Sequence, residues 1–507
     1  MKKGWDTIII GAGVGGLTAA AELIKEGLRV LVLDRNPHPG GTAYVYHRKG
    51  FSFPMGPLGF SHPERIKSIL GGLGCDAPFP LCRVHYRIKA FNLDIPISLP
   101  PFQMVKELST LFPSDAQGVA CFFQDVERTL SAEPVSNPAI TRSISAADYL
   151  NRLIKDWRLR CVLGSLGTQE PYSNLALLAA QWNLMTKVGI WYPQGGMSSF
   201  CDWLARAVTG QGAGLGEISL GVEVAKIKVE HGGVAGVRLK DGEEISSSSV
   251  ISNGDFKTTF LRLLDPEVVH PSWQRAVSLA KQAGSVLQVC LGIDSSRADL
   301  SCFCEAARLI YRRGSDLDAR STLNWNRPEV DPETLAGQEL EISLWSKDDA
   351  SLAPEGKDVI VIRAEADYSH FTRYRLGWRQ RTPGYSEYKN RLAKSLIREA
   401  ERVIPGLQDA IVVIDVATPL TFEDQGGRSG GAVAGWSWDF QDFRDSGPRE
   451  LIRTPIRGLY MAGYQAYSAL FLGGIPTAME SGKRAAEAVL TQAAPTEEIL
   501  IPGTDLF

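Results

Sequence analysis

Apolar residues near the start of the chain come in short bursts of changing period. "TIII" (Thr7–Ile10) is a β-branched run suited to a central parallel strand. "LTAAAELIKEGL" then repeats strong helix formers, with Gly27 at its natural stop, and "RVLVLD" predicts a second buried strand ending at Asp34. Farther on, "EISLGVEVAKIKVE" alternates polar and apolar residues like strands, and "VEVAKIKVEHGGVAGVRLKDGEEISSSSVISNGD" adds "HGG" and "KDG" turns, which predicts an antiparallel meander. "NLALLAAQWNLM" (Asn174 to Met185) predicts a buried or interfacial helix; no apolar stretch approaches the about 20 residues that span a membrane. Near the other end, Gly458 to Leu490 reads as a short strand, a glycine-bearing loop, and a helix opened by Gly473-Gly474-Ile475-Pro476.

The 507 residues allow two or three domains with large cores, at 44% hydrophobic and 22% charged content. A net charge of -3, with basic residues scattered, gives no field for a nucleic acid backbone. The eight cysteines form no CxxC pair, and no histidine cluster has zinc spacing, so neither a disulfide framework nor a metal site is expected. A reduced, cytoplasmic setting follows. "MKKGWDTIII" imitates a leader, but its apolar run leads directly into a glycine turn and belongs to a strand.

That turn carries the first chemistry. Gly11, Gly13 and Gly16 follow the strand at GxGxxG spacing, with Gly15 beside them. Gly11 permits the tight turn, Gly13 lets backbone amides approach a pyrophosphate, and Gly16 allows close packing of helix on strand. The helix N-terminus would stabilise the phosphates. Asp34, 18 residues beyond Gly16, can accept hydrogen bonds from ribose hydroxyls, with Arg35 next to it. Strand, turn, helix, strand and acid together predict dinucleotide binding, and do not separate NAD from FAD. Two other glycine-rich stretches are decoys. "GQGAGLG" leads into strands and is a loop, and "SGKR" (Ser481 to Arg484) lacks the glycine and hydroxyl of a phosphate loop and belongs to a helix.

After the acid, Gly40-Gly41 and Gly56-Pro57 punctuate "RNPHPGGTAYVYHRKGFSFPMGPLGF", suggesting backbone pressed close to a ligand. With "PGGTAYVY", "GFSFPMGP", "YPQGGMSSFCDWLA", "VEVAKI", "VISNGD", "ATPLTFEDQ" and "GLYMAGYQ…GGIPTAMESGKRAAEA" in order along nearly the whole chain, the sequence resembles the FAD-dependent phytoene desaturase, carotenoid isomerase and retinol saturase superfamily. The resemblance implies an α/β fold with α+β insertions: a Rossmann-like FAD-binding domain of the flavin amine oxidase and carotenoid desaturase type, and a discontinuous substrate domain. Residues 1–65, 188–256 and 450–492 would form the first, residues 66–187 and 257–449 the second, and 493–507 a tail. It also implies that Gly41, Thr42, Gly56 and Pro57 touch the cofactor. Val224 would meet its adenine end through the backbone, Gly463 its phosphates or ribityl chain, and Gly474, Ile475 and Pro476 its isoalloxazine. Thr42 stands where members often carry Arg, and Tyr464 where a small or acidic residue is common.

A flavin supplies the redox step, so the protein needs chiefly to orient an apolar substrate and exclude water. No catalytic residue and no metal ligand is assigned. Trp191, Tyr192, Tyr464, Tyr467 and Phe471 would line an apolar tunnel, with core packing as the competing reading. Glu480, on a small-residue helix face, is expected to be solvated. Arg373, Arg375, Arg379 and Arg381, interleaved with Tyr374 and Trp378, read first as a solvated loop and would give at most weak peripheral membrane contact. The expected activity is desaturation, saturation or isomerisation of carbon–carbon double bonds in a carotenoid, polyisoprenoid or similar long apolar substrate, with an unknown electron acceptor. Amine oxidase-like C–N oxidation and a non-redox prenyl or lipid carrier on the same scaffold are the rivals.

Overall fold

A computed structural model of the chain describes residues 4–56, 59–74, 80–131, 145–169, 171, 175–210, 214–314, 329–436, 449–468 and 474–496. Five parallel strands form the first sheet: β1 (Thr7–Ile10), β2 (Val30–Asp34), β3 (Gly216–Leu220), β4 (Val250–Ser252) and β5 (Leu459–Met461), in the order β5-β4-β1-β2-β3. The apolar side chains of β1, β2, β4 and β5 are almost wholly buried on both faces, as the inside of a parallel sheet requires, while the edge strand β3 is half exposed. Helix α1 (Val14–Lys25) returns the chain from β1 to β2 and has nine apolar or glycine residues buried along it, besides Thr18. Helix α2 (Gly474–Leu490) packs along α1 so closely that a Cβ on Gly482 would stand 2.2 Å from the Gly15 carbonyl oxygen.

The meander forms as Val224–Glu230, Gly233–Leu239 and Glu244–Ser246, but stops there. "VIS", expected to continue it, is instead β4, paired parallel to β1 and β5 at the centre of the first sheet. Burial decides this: all three of its residues are enclosed on both faces. "EISL", read as strand, is the parallel edge strand β3. Leu175–Asn183 is helical and continues into a π-turn at Leu184–Val188, with Trp182 fully buried.

The larger sheet has seven strands, in the order Ile411–Ala417, Val286–Asp294, Lys357–Glu365, Leu340–Leu344, Arg308–Arg312, Tyr86–Ala90 and Leu93–Pro96, antiparallel except where Arg308–Arg312 runs parallel to Tyr86–Ala90. Leu287, Val289, Leu291, Ile342, Ile360 and Ile362 bury one face beneath the helix Tyr385–Ala400. The other face meets the hairpin that follows β2: Gln288 Nε2 donates to the Pro54 carbonyl at 3.1 Å, and Arg363 Nη2 to the Gly56 carbonyl at 2.8 Å. The two sheets therefore meet across the segment around residues 42–56. Among the described residues no helix is long and apolar enough to cross a membrane, and no group of three or more His, Cys, Asp or Glu could hold a metal ion.

Candidate functional site

The site begins where β1 ends. Gly11 turns with φ +99°, a conformation side chains resist, and its amide donates to the Leu33 carbonyl at 2.7 Å. No side chain caps α1, whose Ncap is Gly13, so its N-terminal amides are left for a ligand. The Asp34 carboxylate is buried and accepts the Ala12 and Asn36 amides, both at 2.8 Å, which holds it beside this turn. Asn253, just after β4, donates Nδ2 to the Gly11 carbonyl at 3.3 Å, while its Oδ1 is buried with no hydrogen-bond partner. A Cβ on Gly13 would lie 2.8 Å from Asn253 Nδ2, and one on Gly15 would lie 2.6 Å from Asn253 Oδ1 and 2.9 Å from the Gly463 nitrogen. Gly16 is equally confined, its Cβ position 2.2 Å from the Gly11 carbonyl oxygen. Gly463 (φ +95°) gives its amide to Ser481 Oγ of α2 at 2.8 Å. Chain segments separated by more than 400 residues thus meet around one uncapped helix start and one unpartnered amide oxygen, a cradle suited to a dinucleotide phosphate bridge.

The flanking loops close on this cradle. Gly40 bridges to Gly13, and a Cβ on Gly41 would stand 3.2 Å from Gly13 Cα. Thr42 follows, and its carbonyl oxygen leaves no room for a side chain on Gly56, whose Cβ position is 2.4 Å away. Gly221 and Val222 donate to the Asn36 and Asp34 carbonyls at 3.0 and 2.8 Å, which brings the start of the meander, with Val224 buried, to the acid end of β2. Gly474 opens α2 and is exposed, while Ile475 and Pro476 are buried. Pro57 and Phe471 lie outside the described residues.

Several side chains behave differently from expectation. Arg35 turns away from the turn at β1: its Nη2 donates to the Asp424 carbonyl at 3.1 Å and its guanidinium carbon stands 5.9 Å from the Trp378 ring centroid. Tyr192 is fully buried, edge-on to Trp345 with centroids 5.5 Å apart, so it has no surface with which to line a tunnel. Tyr467 is buried under the Arg484 guanidinium, 4.5 Å from its ring. Trp191 is half-buried, its indole N–H donating to the Val188 carbonyl at 2.8 Å. Glu480 is not solvated; it is 8% exposed and paired with Arg65 and Arg484, both at 2.9 Å. Burial alone would raise its pKa, but the two arginines outweigh that and hold it below the ordinary value. The arginine cluster is an ion-pair network rather than a solvated loop. Arg373 pairs with Glu329, Arg375 with Glu423 and Asp424, and Arg381 with Asp424, leaving Leu376 and Trp378 exposed.

Tyr464 and Arg428 are each half-buried and lie against one another. The guanidinium lies 5.9 Å from the tyrosine ring centroid and burial pushes the phenol pKa up. Sequence reasoning did not single out Asn253, Arg428, Ser481 or Gly482. Only the glycines around Arg428 ("GGRSGG") and the Asn-Gly step after β4 signalled close backbone approach.

The sequence profile described as flavin containing amine oxidoreductase matches residues 14–318. The chain belongs to this family. It is an FAD-dependent oxidoreductase, and the cradle fits that cofactor: an uncapped helix start for the diphosphate, a buried carboxylate beside it, and a second helix start at Gly474. Among relatives, a chloroplastic prolycopene isomerase from Daucus carota is 27% identical over 91% of this chain and 76% of its own. A zeta-carotene-forming phytoene desaturase from Myxococcus xanthus is 26% identical over 99% of this chain and 97% of its own. An inactive all-trans-retinol 13,14-reductase from Danio rerio is 24% identical over 93% and 84%. Two solved structures share the fold: an oxidoreductase from Methanosarcina mazei (TM-score 0.61, 18% identity, 94% of this chain and 99% of that one) and a Rab GDI from Plasmodium falciparum (TM-score 0.54, 12% identity, 98% and 100%).

Proposed function

We propose that this flavoprotein desaturates, saturates or isomerises carbon–carbon double bonds in a carotenoid, polyisoprenoid or similar long apolar molecule. One observation carries the reading: a prolycopene isomerase and a phytoene desaturase match this chain along 91% and 99% of its length, through the segments around the large sheet as well as the nucleotide fold. In this reading residues 1–65, 188–256 and 450–492 hold FAD, and residues 66–187 and 257–449 hold the substrate.

FAD, when bound, supplies the two-electron chemistry. The chain's part is to bind, orient and enclose. The amides at the start of α1 and the closely packed Gly11, Gly13, Gly15, Gly16 and Gly463 receive the diphosphate, and Asp34 the ribose hydroxyls. The backbone near Val224 meets the adenine end, the Gly41, Thr42 and Gly56 loop touches the cofactor beside the glycine turn, and Gly474, Ile475 and Pro476 face the ring. Half-buried Tyr464 and Trp191 present aromatic faces to an apolar substrate. Excluding water from the substrate site protects the reacting bond.

The test is anaerobic incubation of the purified, visibly yellow protein with phytoene, a poly-cis carotene or retinol in detergent, followed by chromatography and mass spectrometry. Loss of two hydrogens with bleaching of the flavin marks desaturation. Gain of two by the pre-reduced protein marks saturation, and unchanged mass with altered retention marks isomerisation. In a parallel aerobic incubation, peroxide release with amines, together with no change in any polyene, refutes the proposal in favour of C–N oxidation. A colourless protein that binds prenylated peptide favours the carrier.

A further inference from the structure

Arg428 sits in the glycine-rich stretch that follows the helix Pro419–Gly426. Its Nη1 donates to the Val433 carbonyl at 2.9 Å, and its Nη2 reaches Thr42 Oγ1 at 3.4 Å. Among the described residues no carboxylate lies within ion-pair distance of it. Asp255, the acid whose field reaches it, is already occupied: its oxygens accept the Thr258 amide at 2.9 Å, Gln282 Nε2 at 2.9 Å and Ser429 Oγ at 2.7 Å. Other arginines nearby are neutralised. Arg375 and Arg381 pair with Asp424, and Arg65 and Arg484 with Glu480. The half-buried guanidinium thus keeps charge-assisted donor capacity that no carboxylate takes up, and partial burial lowers its pKa.

Its position says which anion. Thr42 follows Gly41, which abuts Gly13 at the start of α1; Tyr464, whose ring faces the guanidinium, follows Gly463, which closes on Asn253 and Gly15. Arg428 therefore stands at the rim of the phosphate cradle, reaching it from the substrate-side segment. The guanidinium arrives at the Thr42 hydroxyl from a segment 386 residues away in the chain.

We propose that Arg428 binds the diphosphate of FAD, clasping the cofactor from the side opposite the α1 amides. Resting on the FAD reading, the assignment is tested on purified holoprotein by dilution, following the rise in fluorescence of released FAD. Arg428→Gln raises the FAD dissociation constant roughly ten- to hundred-fold, the usual worth of a charge-assisted hydrogen bond to a charged group. Affinity for ADP, which carries the diphosphate without the ring, falls by the same factor, and the midpoint potential of the bound flavin is unchanged. Adding Thr42→Arg to Arg428→Gln restores most of the loss. If Arg428→Gln does not fold, Arg428→Lys carries the comparison, with a smaller loss. FAD release within twofold of wild type overturns the proposal. So does a shifted potential with unchanged release, which places the cation at the ring, or an effect confined to the KM of a substrate carboxylate. A wild-type protein that never holds FAD fails the cofactor reading instead, a distinct result.

Discussion

Replacing Gly482 by alanine isolates the contact that joins the two ends of the chain. The new methyl carbon would sit 2.2 Å from the Gly15 carbonyl oxygen and 3.1 Å from the Ala19 nitrogen. Both are backbone atoms of α1, so no side chain can rotate out of the way. Ordinary contact begins near 3.4 Å, so α1 and α2 must part by about 1.2 Å. Overpacking of this kind costs about 1–3 kcal/mol. On the proposed cofactor site the strain also falls on FAD, because Gly15 lies on the glycine turn assigned there to the diphosphate and Ser481 holds the Gly463 amide. At about 1.4 kcal/mol per decade, FAD affinity falls by roughly tenfold or more. Urea unfolding of the FAD-free protein gives the stability loss, and dilution of the holoprotein gives the affinity loss. Gly71→Ala is the control: nothing lies within 4 Å of its Cβ position in the helix Pro63–Gly72, and helix propensity alone stabilises it by up to about 1 kcal/mol. Gly482→Ala within about 0.5 kcal/mol of wild type and with unaltered FAD release would refute the close helix packing.

Asp34→Ala removes the acceptor of two amides, Ala12 and Asn36, and should lower unfolding free energy by about 2 kcal/mol even without FAD; an effect seen only with FAD present would contradict the geometry. Asp424→Asn strips the carboxylate from Arg375, Arg381 and the Arg379 amide, and is expected to cost about 3 kcal/mol in the same urea assay. Glu480 predicts a pH dependence. Its folded pKa lies below the ordinary 4.5, so its ionised form stabilises the fold above that pH, and this contribution is lost as acidification passes through the folded value. Wild type should therefore lose stability more steeply than Glu480→Gln below about pH 4.5; parallel curves would disprove the arginine clamp.

The parts of the fold legible in the sequence were those written locally. Thr7 to Asp34 carries its strand, glycine turn, helix and acid within one continuous stretch, and each falls where its period and punctuation put it. The helix opened by Gly474 was equally clear. β4 was misplaced because an apolar triplet beside an Asn-Gly step looks like one more hairpin strand; only the partners β1 and β5, hundreds of residues away, decide that it is parallel and central. Glu480 and the arginine cluster failed for the same reason. Nothing near Glu480 in the sequence announces Arg65, and nothing near Arg375 announces Asp424. Arg428 and Asn253 matter through what surrounds them in space, which neither period nor motif encodes.

The strand order β5-β4-β1-β2-β3 also constrains how the protein can be made. Its first strand leaves the ribosome early, but the neighbours that flank it on one side come from residues 250–252 and 459–461, and the helix that locks the turn ends at Leu490. Until then the growing sheet keeps an open edge, a template for pairing with other chains. Cofactor capture must therefore follow translation almost to its end.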